Sequence, residues 1–104
     1  MIALKNDDIN PRGLSTECLL GIIITEKVLA EFGSDLTITS MNDGTHSKTS
    51  RHYAGDAFDV RTWGIKGQEE KVCQRLREAL GKHYFVLFEG DHIHISYKPQ
   101  RGED

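Results

Sequence analysis

The segment AFDVR, residues 57–61, alternates side chains in the way a β-strand with one buried face does. Phe58 and Val60 would point towards a core, whereas Ala57, Asp59 and Arg61 would share the opposite face. A carboxylate on such a strand can project towards a site while its sequence neighbours pack inside. The segment therefore predicts a strand that joins the hydrophobic core to a polar surface.

Three further segments also predict strands. LTITS, residues 36–40, is β-branched and alternating, and HYFVLFE and HIHISYK, residues 83–89 and 92–98, flank the tight turn EGD. The last two segments predict a hairpin. Within it His92 and His94 are two residues apart, so their side chains would face one side of the sheet about 7 Å apart.

Two segments have helical periodicity, residues 15–32 and 68–80, and each is followed by a glycine. Ser15 or Thr16 can cap the first helix. The order is helix, strand, long polar loop, strand, helix, strand, strand. It predicts an α+β fold in which a small, mostly antiparallel sheet packs with two main helices.

Size and composition indicate one ordinary globular domain, residues 1–104, with 38% hydrophobic and 28% charged residues. The formal net charge of -3 gives no electrostatic basis for binding nucleic acid. The longest apolar stretch, CLLGIII at residues 18–24, is far too short to span a membrane. Cys18 and Cys73 are expected to be reduced packing residues. Residues 1–12 look irregular and lack the layout of a secretion signal, which predicts a chain that is cytoplasmic as made.

Four of the five histidines lie in two short polar segments, residues 45–62 and 88–99, with acids close by. Imidazole and carboxylate groups bind zinc, and a catalytic zinc site keeps one position open for water. His52, Asp59, His92 and His94 are the candidates for such a site, and two histidines with one carboxylate would suffice. A His-x-His pair on a strand is by itself weak evidence for a metal site. Support must come from the order of the motifs along the chain.

The block DGTHSKTSRHYAGDAFDVRT, residues 43–62, followed by DHIHISYK, residues 91–98, resembles the Hedgehog/D-Ala-D-Ala-peptidase superfamily, peptidase family M15. Its pattern is Ser-x-His, then Gly-x-Ala-x-Asp with the Asp seven residues after the His, then a terminal His-x-His strand. The block is close to that of Hedgehog signalling domains, and the preceding helix and LTITS are similar to short phage-encoded members. The resemblance covers about residues 13–99. It implies a Hedgehog/DD-peptidase-like fold.

The resemblance implies that His52, Asp59 and His94 bind one Zn2+ per chain. Asp91 lies three residues before the last ligand, where bacterial members place a general base, and Glu89 is the rival for that role. Ca2+ is not expected, because the acidic cluster that binds it in Hedgehog domains is not evident.

Further roles follow from the same resemblance. His92 would lie behind the ligands or against the substrate, and His46 matches another active-site histidine of Hedgehog domains. Many bacterial members stabilise the oxyanion with an upstream Arg that this chain lacks, so His46 or Arg51 would substitute. Ser50 is expected to order the loop beside the substrate. Tyr53 would either pack or stack on substrate.

The implied function is hydrolysis of a peptide bond in bacterial cell-wall peptidoglycan by a zinc-activated water. Such an enzyme would be a DD-carboxypeptidase or an L-Ala–D-Glu-type endopeptidase, acting as an endolysin after release through a phage membrane lesion or as part of a virion. The alternative is a non-catalytic, zinc-stabilised binding or virion structural module on the same fold. The expected partner is a peptidoglycan peptide, without nucleic acid or membrane, and the sequence does not indicate an oligomeric state.

Overall fold

The computed structural model describes residues 2–5, 15–42 and 57–98, which form a five-stranded mixed sheet and two α-helices. In chain order the elements are β1 (Ile2–Leu4), α1 (Thr16–Glu31), β2 (Leu36–Asn42), β3 (Ala57–Arg61), α2 (Glu69–Leu80), β4 (Tyr84–Phe88) and β5 (His92–Tyr97), with a 3₁₀ turn (Trp63–Ile65) after β3. The strand order across the sheet is β1-β2-β3-β5-β4. The predicted α+β class is confirmed.

The sheet is mostly antiparallel, as expected, but its first strand was not predicted. β1 pairs in parallel with β2, and the other three pairings are antiparallel. The prediction that residues 1–12 are irregular is therefore wrong for Ile2–Leu4. Edge pairing uses backbone groups, and a strand of three residues is too short to show an alternating pattern.

The helix ends are set by local chemistry that the sequence does reveal. The Ser15 hydroxyl accepts a hydrogen bond from the Cys18 backbone N–H at 3.0 Å, which caps α1. Gly33 and Gly81 follow the two helices with φ of 77° and 88°, a conformation that favours glycine. Both predicted helices are confirmed, each beginning one residue later than expected.

The hydrophobic core lies between the two helices and one face of the sheet, which we call the core face. It carries Phe58, Val60, Ile93 and Ile95, which are at most 1% exposed and pack with buried residues of both helices, including Leu29, Val72 and Leu76. Cys18 and Cys73 are buried and unbridged, as expected. Neither described helix is long and apolar enough to cross a membrane.

The opposite face of the sheet, which we call the outer face, carries the candidate site. Alternation along β3 and β5 places Asp59, Arg61, His92 and His94 there, each partly exposed to solvent. The predicted division of β3 between a core and a polar surface is thus confirmed.

Candidate metal site on the outer face

Asp59 and His94 form the centre of the candidate site. They are register partners on the adjacent antiparallel strands β3 and β5, so the sheet itself holds their side chains together. The His94 Nδ1 atom lies 2.8 Å from Asp59 Oδ1. The His94 side chain is 32% exposed and the Asp59 side chain is 24% exposed. The strands hold the pair in position, and a solute can still reach it.

Apolar groups flank His94 on its other side. Leu87 of β4 is its register partner, and the Phe85 ring lies at 62° to the imidazole with the ring centroids 6.5 Å apart. Two apolar residues therefore lie on this side of the imidazole. Because β3 and β4 both pair with β5, His94 lies between a carboxylate and a hydrophobic surface.

The pairing of β2 with β3 is irregular at the same level of the sheet. Ile38 pairs with Val60, and Ser40 pairs with Asp59. The β2 strand thus advances by two residues where β3 advances by one, and Thr39 is the extra residue of a β-bulge. The irregularity places the exposed Ser40 opposite Asp59. A hydroxyl-bearing residue therefore borders the carboxylate on the side away from His94.

His92 forms a second cluster with the two candidate bases. Its Nδ1 lies 2.8 Å from Asp91 Oδ1 and its Nε2 lies 3.0 Å from Glu89 Oε1. Both ring nitrogens can donate only when the imidazole is protonated. The hydrogen bond to Asp91 is the main cause of the raised pKa of His92, and it lowers the pKa of Asp91 in return.

The turn between β4 and β5 holds this cluster in place. The backbone N–H of Glu89 donates to the His92 carbonyl at 2.8 Å, and Gly90 takes a φ of 86°. Thr62, just after β3, donates its backbone N–H to the Asp91 carbonyl at 3.3 Å. The turn is therefore tied to β3, the strand that carries Asp59.

Arg61 extends the polar surface to the end of the sheet. It is the register partner of His92, and its guanidinium carbon lies 3.8 Å from the centre of the Trp63 ring. Alternation along β3 predicts Arg61 on this face, but no role for it was expected. Its position over Trp63 depends on the 3₁₀ turn, which no sequence pattern predicts.

The donors of Asp59 and His94 suit zinc, which accepts imidazole nitrogen and carboxylate oxygen. With bonds of about 2.0 Å to a tetrahedral ion, two ligand atoms lie about 3.3 Å apart, so the observed 2.8 Å would have to open by only about 0.5 Å. A second arrangement also fits, in which Nδ1–H donates to Asp59 and His94 binds through Nε2, with Asp59 orienting the ring.

Two ligands do not complete a zinc site. Among residues 2–5, 15–42 and 57–98, no three His, Cys, Asp or Glu side chains come together as a metal-binding group. The third expected ligand, His52, lies outside the described residues, as do His46, Ser50, Arg51 and Tyr53. Of the expected site residues, the structure thus brings together Asp59 with His94, and His92 with Glu89 and Asp91.

Comparison with known proteins adds no assignment: neither a protein-family model nor a curated protein sequence matches this chain. The likeness to the Hedgehog/DD-peptidase superfamily therefore depends on the motif residues themselves.

Proposed function

We propose that the protein is a zinc-dependent peptidase with a Hedgehog/DD-peptidase-like fold, acting on a peptide of bacterial peptidoglycan. The observation that carries the proposal is the 2.8 Å contact between Asp59 and His94 on paired strands. These are two of the three residues to which the family resemblance assigns the metal, and His52 is the third. A carboxylate–imidazole pair on the accessible face of a sheet is a suitable base for a catalytic zinc site.

Bound zinc would acidify a water molecule and polarise the peptide carbonyl. Asp59 and His94, together with His52, would hold the ion. A carboxylate near the ion must then accept the proton that the attacking water loses and return it to the leaving amine. Asp91 is the preferred residue because of its position three before His94, and Glu89 is the rival.

His92 supports this assignment through its contacts with both carboxylates. Its two ring nitrogens lie within 3.0 Å of Asp91 Oδ1 and of Glu89 Oε1. One imidazole therefore holds both carboxylates beside the start of β5. With a raised pKa it holds a proton nearer to neutral pH. In the proposed enzyme His92 orients the two carboxylates, and its N–H groups keep Asp91 ionised.

One observation favours the second candidate, a zinc-stabilised module without turnover. Both candidate bases are already engaged by His92, and the lowered pKa of Asp91 makes its carboxylate a weaker proton acceptor. A module that uses zinc only to stabilise its fold would need no free base. The two candidates differ in one measurable property, which is whether a peptide bond is cleaved.

The deciding experiment is mass spectrometry of purified bacterial sacculi after incubation with the zinc-loaded protein. We expect new muropeptides, and their masses would name the bond that is cut. Asp91→Asn should retain zinc and reduce turnover by about 10²–10⁴-fold, the usual contribution of a general base. If Glu89→Gln shows that loss and Asp91→Asn does not, Glu89 is the base.

A matched control is Glu78→Gln, which removes an exposed carboxylate from α2, a helix that packs on the core face. It should digest sacculi at the wild-type rate. Absence of products from the wild-type protein, with one zinc bound per chain, would reject the peptidase and leave the binding module.

A further inference from the structure

A cavity of about 220 Å³ lies where the outer face ends, beside β3. Its lining residues come from three places in the chain: Ser34, Asp35, Thr37, Arg61, Trp63 and Gly64. Gly64 is required for this shape, because a methyl group there would collide with the Ser34 side chain. The cavity is therefore built by the close approach of the 3₁₀ turn to the segment before β2.

The Arg61 guanidinium is the main positive group in this cavity. The guanidinium carbon lies over the Trp63 ring, 3.8 Å from its centre, and among the described residues no carboxylate pairs with the guanidinium. Stacking occupies the face of a guanidinium but leaves its N–H edges available for two parallel hydrogen bonds to a carboxylate. Asp35 also lines the cavity, but it is exposed, so solvent screens its repulsion of an anion.

The position of Arg61 relates the cavity to the candidate metal site. Arg61 and Asp59 are two residues apart on one face of β3, so their Cα atoms are about 7 Å apart. One residue of extended peptide spans about 3.3–3.6 Å, and a guanidinium–carboxylate hydrogen bond adds about 2.8 Å. At this spacing along the strand, a substrate carboxylate bound by Arg61 would be about one residue from a peptide carbonyl placed at Asp59 and His94.

We infer that the cavity formed by Arg61 and Trp63 binds the free α-carboxylate of the residue whose amine leaves when the peptide bond is cut. The inference rests on the proposed peptidase function and names its substrate class. A C-terminal residue carries such a carboxylate, and so does an acidic residue linked onward through its side chain. Thr37 and Ser34 add hydroxyl groups on the cavity wall.

The test uses Trp63, the only tryptophan in the chain, as the reporter. The zinc-free protein is titrated with N-acetyl-D-alanine, and with N-acetyl-D-alanine amide as the neutral match. We expect the acid to change Trp63 fluorescence saturably and the amide to leave it unchanged. An equal response to both ligands, or no saturable response to the acid, would overturn the inference.

Two arginine variants show which cation is responsible. Arg61→Gln should weaken binding of the acid about tenfold or more, because it removes a charge-assisted bidentate contact. Arg75→Gln is the matched control, since Arg75 lies on α2 and pairs with Glu31 of α1 through two hydrogen bonds of 3.0 Å. It should bind the acid as the wild type does, and loss of binding in both variants would contradict a local site.

The binding measurement needs neither zinc nor turnover, so it separates the two proposals. Binding of the acid without digestion of sacculi would reject the peptidase and retain the carboxylate site. Digestion of sacculi without binding of the acid would retain the peptidase and reject the role of Arg61.

Discussion

The two faces of the sheet are made by the same strands but have opposite properties. On the core face, Phe58 and Ile95 are at most 1% exposed and belong to one cluster with both helices. On the outer face, their sequence neighbours Asp59 and His94 remain accessible and contact each other. Strand alternation thus separates the residues that stabilise the fold from those proposed to bind metal. It predicts that one face can be changed without loss of the other.

The largest expected effect is loss of zinc from the outer face. His94→Ala should remove bound zinc, because it leaves at most two of the three proposed ligands, too few to hold the ion. Measured by inductively coupled plasma mass spectrometry, the wild type should carry one zinc per chain and the variant none. Chelation should lower the Tm of the wild type and leave that of His94→Ala unchanged.

The control is His83→Ala, which removes a histidine from the turn between α2 and β4 and should keep one zinc. Asp59→Asn separates the two metal arrangements. Loss of stoichiometric zinc would make Asp59 a ligand, whereas a 10–100-fold weaker affinity would make it the residue that orients His94. Retention of one zinc by His94→Ala would reject the assigned site.

The next largest effect tests the core face. Phe58→Ala removes a ring that is 1% exposed and should lower the free energy of unfolding by about 3–5 kcal/mol. Urea unfolding of the metal-free protein measures this change. Zinc bound per folded chain should stay at the wild-type value, since the ring lies on the opposite face from Asp59. A variant that loses zinc while still folded would show that the two faces are coupled.

The sequence predicts which β3 residues face the core and which face outwards, but not which strand pairs with β3. Alternation in AFDVR and HIHIS assigns Asp59 and His94 to one surface because the period of a strand is two. Their direct opposition depends on β3 pairing with β5 rather than with β4, after a connection through α2. That choice is a property of the packed sheet, and no local pattern encodes it.

The same limit applies to β1 and to Arg61. Three residues at the sheet edge pair through backbone groups, so Ile2–Leu4 leaves no recognisable side-chain signal. Arg61 gains its neighbour Trp63 only because the chain turns tightly after Thr62. The family resemblance, in contrast, named Asp59 and His94 among three expected metal ligands and Asp91 and Glu89 as candidate bases. The structure then brings Asp59 to His94, and both of those carboxylates to His92.

The smallest expected effect is a pH dependence from His92 on the outer face. Its raised pKa means that it stabilises the fold fully below its unfolded pKa of about 6.5, and this is lost as the pH rises through the folded value. The lowered pKa of Asp91 gives stability above about pH 3.9, which is lost as the pH falls through the folded value. The Tm advantage of the metal-free wild type over His92→Gln should therefore be greatest between about pH 4 and 6.5.

That advantage should be small, because Asp91 is 83% and Glu89 45% exposed, and salt should reduce it further. Thermal unfolding in a chelating buffer, followed by circular dichroism across this pH range, measures it. The comparison with Phe58→Ala is informative, because loss of buried apolar contacts should cost the same at every pH in the range. A constant difference between wild type and His92→Gln would mean that His92 acts through packing, and that its charged contacts with the two carboxylates add no measurable stability.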